Sequence, residues 1–214
     1  GYHYQDSDIH YSLAGGISSQ GAAIDNNVTL NNTPITLVNN PQQAVDEKNT
    51  EDKRELQKNW QVSASLVGGA GALTAAGNTV SITDAVITGT YDGVYTSQQN
   101  SPLKLNVTGG AALASEATSG MSANHNSVTI TQTAAGGTSR GAYGDITGGF
   151  SSYGEANNNA VKLENLTGAA LDSIYGGVSG INALPDKLLD YNQLTLNDLS
   201  QTYAVSYTAD NNTV

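Results

Sequence analysis

The 214-residue chain contains no cysteine. Disulfides and thiolate metal sites are therefore excluded, and the cysteine content leaves the redox compartment open. Positive charge is also scarce. Eight Lys and Arg stand against nineteen Asp and Glu, for a net charge of −11. Binding to nucleic acid or to an anionic membrane surface needs clustered cations, so neither partner is expected. No stretch approaches the ~20 apolar residues of a membrane-spanning helix, and no membrane insertion by these residues is expected. The opening GYHYQDSDIH lacks the basic start and apolar run of a signal peptide. If the protein is exported, the sequence is expected to be a mature or trimmed piece.

What is present is polar but not disordered in composition. Disordered chains carry more Pro and charge, and fewer Val, Ile, Leu and Tyr. Here there are 22 Asn, 22 Thr, 20 Ser and 24 Gly, with only four Pro and 13% charged residues. That mixture suits short strands joined by many tight turns.

A short unit recurs: Asn, any residue, aliphatic, any residue, aliphatic. It appears as NNVTL from Asn26, NTVSI from Asn78, NSVTI from Asn126, NAVKL from Asn159 and NQLTL from Asn192, and the chain ends on NTV from Asn212. The spacings are 52, 48, 33, 33 and 20 residues. The flanks repeat too. GGISSQGAAIDNNVTL (15–30) and GGFSSYGEANNNAVKL (148–163) align without gaps and share nine positions, and GGAGALTAAGNTVSI (68–82) is a weaker copy.

Each copy alternates as a strand does. Val28 and Leu30, Val80 and Ile82, Val128 and Ile130, Val161 and Leu163, and Leu194 and Leu196 share an inward face. Thr29, Ser81, Thr129, Lys162 and Thr195 face water. One such strand cannot bury its apolar face, but equivalent strands stacked on one another can. The leading Asn residues then stack as well, and their amides can bond along the column and to turn backbone. The 20 residues from Asn192 to Asn212 predict one compact turn of a parallel β-helix, with strands at 193–199 and 203–208. Longer spacings predict added loops or added turns. The 48-residue gap is long enough for two, because LKLNVTGG (103–110) reads as a further strand.

One insertion differs in kind. PQQAVDEKNTEDKRELQKNW (41–60) has no Gly and holds half of the Lys and Arg in the chain. Pro41 suits a first helical position, and Lys48 with Asp52 and Glu55 with Lys58 are helix-compatible pairs. A short helix or helical hairpin is predicted here, packing through Val45, Leu56 and Trp60. A solvated charged segment is favoured over a dedicated binding helix.

The Asn-x-Val-x-Ile strands, the Tyr-Gly-Gly at 175–177 and the Ser/Gly/Asn linkers resemble passenger domains of Gram-negative autotransporters, of the adhesin type with pectin-lyase-like β-helices. The likeness covers nearly the whole chain, with 41–60 as the main departure. It implies an all-β fold, a right-handed parallel β-helix running through 1–214 as one domain, displayed at the cell surface or released. It implies an adhesin that binds a host or bacterial surface protein or glycan, or that associates with itself. The sixth copy, broken off at Val214, is then expected to be a truncation. The family also contains enzymes, so a β-helix polysaccharide lyase or hydrolase, or a stalk displaying another domain, remains an alternative.

Candidate chemistry is thin. GTSRG (137–141) matches the G-x-S-x-G nucleophile pattern through Ser139, but His3, His10 and His125 all precede it, against the required order. HYQDSDIH (3–10) would put Asp6, Asp8 and His10 on one face of a strand, a set able to hold zinc or nickel. A polar terminus is the favoured reading. Asp145, Asp172 and Asp198 fall in comparable parts of three copies and would line up on one side, with Arg140 as the nearest cation. Solvated loop acids are favoured over a carboxylate groove. Tyr143, Tyr175 and Tyr203 sit at similar places in successive copies, and Tyr91, Tyr95 and Tyr153 fall in predicted loops where exposed Tyr can serve recognition. Sequons at Asn27, Asn31, Asn106, Asn165 and Asn211 are no more than chance would supply in so Asn-rich a chain. No catalytic residue, metal site or cofactor is expected, and the binding residues are left unassigned.

Overall fold

A computed structural model describes residues 13–37, 64–88, 104–113, 120–133, 142–166, 170–180 and 209–214. The predicted helix at 41–60 lies outside the described residues. So do the strands predicted at 193–199 and 203–208.

The described residues are all-β and form four parallel sheets. Five long strands make the first sheet: β1 (Leu13–Ser18), β5 (Ala64–Gly71), β9 (Lys104–Ala112), β12 (Ala142–Ser151) and β14 (Ala170–Ser179), side by side in chain order. A second sheet joins the short strands β2 (Ala22–Ile24), β6 (Thr74–Ala76) and β10 (Ser122–Asn124). The third joins β3 (Asn27–Asn31), β7 (Thr79–Thr83), β11 (Ser127–Thr131) and β13 (Ala160–Glu164). A fourth pairs β4 (Pro34–Thr36) with β8 (Val86–Thr88). Each pass of the chain thus adds one strand to each of several sheets, beside the strand of the pass before.

The third sheet follows the predicted alternation. Val28, Val80, Val128 and Val161 pair in register, as do Leu30, Ile82, Ile130 and Leu163. The Val column is buried throughout, and Leu30 and Leu163 at the two outer strands pack on it partly exposed. With Leu66, Leu105, Val107, Tyr143 and Ile146 from the first sheet they form one apolar cluster. A second cluster holds Ala70, Ala111, Ala123, Met121, Phe150, Tyr153 and Val178.

Between the second and third sheets the chain turns a corner of two residues. The first has a left-handed backbone: Asp25, Gly77, His125, Asn158 and Asn211 have φ of 55°, 66°, 58°, 55° and 54°. The second is the repeated Asn. Glycine, Asn, Asp and His tolerate this backbone best, which explains the residue types found there. The same backbone recurs past β3, β7 and β13 at Asn32, Asp84 and Asn165.

The passes are not those expected from the shortest spacing. The Asn159 amide N–H donates to Asn212 Oδ1 at 2.9 Å, and Ala160 bridges Thr213. Asn212 therefore stacks on Asn159, 53 residues away, and the 20-residue interval from Asn192 is not a pass. The 48-residue interval is one pass, not two, because Asn78 bonds directly to Asn126. The strand at LKLNVTGG is real, but it takes its place in the first sheet between β5 and β12.

Candidate functional site

Two features repeat through every pass, one buried and one outward. The buried one is the Asn column. Asn26, Asn78 and Asn126 each donate a side-chain N–H to Oδ1 of the next Asn, at 2.8, 2.9 and 3.1 Å. Their backbone N–H groups donate to the same oxygens, at 3.1, 3.0 and 2.9 Å. The second amide hydrogen of Asn78, Asn126 and Asn159 goes back to the carbonyls of Ala23, Ala75 and Ala123. These three side chains are buried, where an unpaired amide costs about 1–3 kcal/mol. The ladder pairs both side-chain hydrogens of Asn78 and of Asn126.

The sequence reading located this column but missed its partner. The glycine pairs 15–16, 68–69, 109–110, 148–149 and 176–177 lie against it in the first sheet. A Cβ on Gly16, Gly69, Gly110 or Gly149 would collide with the amide of Asn26, Asn78, Asn126 or Asn159. A Cβ on Gly15, Gly68, Gly109 or Gly148 would strike the carbonyl of the glycine one pass on. The glycines are present because the backbone approaches too closely for any side chain. Their signal was visible in the aligned flanks as a doublet upstream of each ladder Asn.

The outward feature is the open face of the third sheet. Its three rows, in register, are Asn27–Thr79–Ser127–Ala160, Thr29–Ser81–Thr129–Lys162 and Asn31–Thr83–Thr131–Glu164. All but Ala160, Lys162 and Glu164 carry a hydroxyl or an amide. Neighbours lie ~4.8 Å apart across strands, and alternate residues ~6.7 Å apart along a strand. Thr29 Oγ1 donates to Asn27 Oδ1 at 2.7 Å. Thr131 Oγ1 donates to Glu164 Oε2 at 3.1 Å, and Lys162 Nζ lies 2.9 Å from Glu164 Oε1. Those contacts, the bond from Lys162 first, hold the Glu164 carboxyl below its ordinary range. At the adjoining corner Asp84 accepts from the Thr133 hydroxyl at 2.6 Å and the Thr133 N–H at 2.8 Å, which lowers its pKa as well. Over β3, β7 and β11 the face presents neutral donors and acceptors at fixed spacing, and Glu164 on β13 and Asp84 at the corner are ionised at neutral pH.

The other candidates fare differently. Asp145 pairs in register with Ser173, not Asp172, so the expected acid row does not form; an offset of one residue breaks a row along a sheet face. Asp145 is also buried. Tyr143 pairs with Leu171, and Tyr175 with Thr147 four residues further along β12, so these Tyr do not share a column either. Tyr143 is buried in the first cluster, and burial pushes its hydroxyl up to about 12. Tyr153, predicted in an exposed loop, is buried in the second cluster. Asn106, one of the sequons, is buried too. His125 forms a corner residue with a left-handed backbone. Ser139, Arg140, Asp198, Asn192, Thr195, Tyr91, Tyr95, Tyr203 and the 3–10 cluster lie outside the described residues. Among the described residues no group of three or more His, Asp or Glu is placed to hold a metal ion, and no helix is long and apolar enough to cross a membrane.

Set against protein-family models, curated proteins and solved structures, the chain matches none.

Proposed function

We propose that the chain is the displayed part of a bacterial surface adhesin, with its parallel sheets as the walls of a right-handed parallel β-helix. The observation that carries this reading is the outward face of β3, β7, β11 and β13. Its hydroxyls and amides stand in register over β3, β7 and β11, with Lys162 and Glu164 beside them on β13, while the inward residues of the same strands are committed to the core. A face of this kind suits a hydroxyl-rich ligand such as a cell-surface glycan. Each contact is weak, and many copies on one cell multiply them. The place of action would be the outside of a Gram-negative cell.

The test is adhesion by cells displaying the chain. Ser81→Arg together with Thr129→Arg changes the centre of the face without touching a buried residue. Binding to host cells or immobilised glycans should fall at least tenfold, with the melting temperature little changed. Adhesion equal in cells with and without the chain would sink the proposal.

A further inference from the structure

The outward face of the third sheet has a chemistry that narrows its ligand. None of the residues in its three rows is aromatic, so no ring offers an apolar platform on which a sugar could stack. What the rows offer is hydroxyls and amides. A hydrogen bond from such a group to a neutral sugar hydroxyl replaces bonds that both made to water, and the net gain is small. A ligand held firmly here must bring an interaction that water does not match.

The ends of the strands supply it. Asp25 belongs to the corner before β3, and Asp84 to the corner after β7. These two strands are neighbours, so the acids stand at opposite ends of adjoining strands, with the neutral rows between them. Residues 25 to 32 of the first pass cover no more than roughly 23 Å along the strand direction. Asp25 is exposed and Asp84 half-buried. Asp84 accepts from the hydroxyl and the N–H of Thr133, both neutral donors, so its charge is not cancelled there. Among the described residues the only Lys and Arg are Lys104, on β9 of the first sheet, and Lys162. Lys162 is held 2.9 Å from Glu164. The chain as a whole carries −11, a field that draws cations and repels anions.

We infer that the ligand of this face is a cationic amino-sugar glycan. It lies along the strands, with its hydroxyls on the Thr, Ser and Asn rows and its ammonium groups on Asp25 and Asp84. Hydrogen bonds between ionised groups are about twice as strong as neutral ones, and they lift the contact above simple exchange with water. Neutral glycans bind more weakly, and glycans of uronic acids are turned away by the acids and the net charge. The inference rests on the reading of this face as a glycan-binding surface and specifies the sugar.

The experiment titrates the purified 214-residue chain calorimetrically with three short oligomers, of glucosamine, of N-acetylglucosamine and of galacturonic acid. Low salt and a mildly acidic buffer keep the amines charged. The first two oligomers share ring and linkage and differ in whether the nitrogen carries a charge. The glucosamine oligomer should bind at least tenfold more tightly than its N-acetylated counterpart, and the galacturonic acid oligomer should not bind. The preference should vanish as salt is raised to about 1 M. Asp25→Asn with Asp84→Asn keeps residues that tolerate the left-handed corners. That variant should bind the glucosamine oligomer no better than the N-acetylated one, with binding of the latter unchanged. Equal binding of the two oligomers by the parent chain, or tighter binding of galacturonic acid, overturns the inference and leaves the face a glycan surface. A preference that survives the double substitution belongs to the net charge and overturns it as well. If none of the three is bound the inference falls, and adhesion by displaying cells decides the broader reading on its own.

Discussion

The two apolar clusters obey different rules, though the same strands of the first sheet feed both. In the first cluster the columns are uniform: Val28, Val80, Val128 and Val161 repeat one residue, and Leu30, Ile82, Ile130 and Leu163 one size. In the second, the column Ile17, Ala70, Ala111, Phe150, Val178 swings from methyl to ring. The short second sheet repeats one small residue, Ala23, Ala75 and Ala123, and the variation is met by Met121 and Tyr153, which enter the cluster in single passes. A uniform column packs each pass in the same way. A varied column needs a partner that compensates pass by pass, as close packing at native density demands. Between the two run the Asn ladder and the glycine doublets, which join the corner of the short sheets to the long one.

The severest way to break this arrangement is at the ladder. Asn126→Ala removes the side-chain bonds to Asn159 Oδ1 and the Ala75 carbonyl and leaves the donors of Asn78 without their acceptor. Denaturant titration should show a loss of about 4 kcal/mol or more, with both clusters melting in one transition. If only one cluster melts, the ladder is not what couples them.

The contrast between clusters can be sharpened by a pair of substitutions. Ile130→Ala in the uniform column should cost about 2–5 kcal/mol, since the flanking Ile82 and Leu163 cannot shift into the space. Met121→Leu in the compensated cluster should cost less than about 1.5 kcal/mol. Equal costs would show that the second cluster is packed as strictly as the first.

A smaller effect reports on the first cluster alone. Burial raises the Tyr143 pKa from 10.0 to about 12. Below pH 10 folded and unfolded chains both hold that proton, and stability is full. From pH 10 to about 12 the unfolded chain releases it first, so stability falls as pH rises, by about 3 kcal/mol in all. Comparing alkaline unfolding of the parent chain with Tyr143→Phe isolates this contribution. A slope that persists unchanged in the Phe variant would assign it to other groups.

How far the sequence could be read depended on whether a position repeats. The aliphatic pairs and the leading Asn repeat at every pass, so the core face and the stacked column were legible. Asn192 matched the same pattern and misled, giving a 20-residue turn where the structure has a 53-residue step. A local clue separates it from the others. Each ladder Asn follows a left-handed residue, drawn from Asp, Gly, His and Asn, and Asn192 follows Tyr191. A bulky Tyr is poorly suited to that backbone. The Asp and Tyr alignments failed because they assumed register from sequence order. β12 and β14 pair in one constant register, Tyr143 with Leu171 and Asp145 with Ser173, which leaves Asp172 one position and Tyr175 four positions out of line, and a shift of one residue breaks a row along a sheet face.

By itself the sequence determined the strand alternation and the Asn column, since each is forced by local chemistry: a pleat of period two and an amide that must be paired. Only the tertiary structure decided which copies are neighbours, what the glycine doublets lie against, and which Tyr and Asp are buried. Those depend on how many residues leave the stack between one corner and the next, and a pattern within a single strand carries no record of that distance.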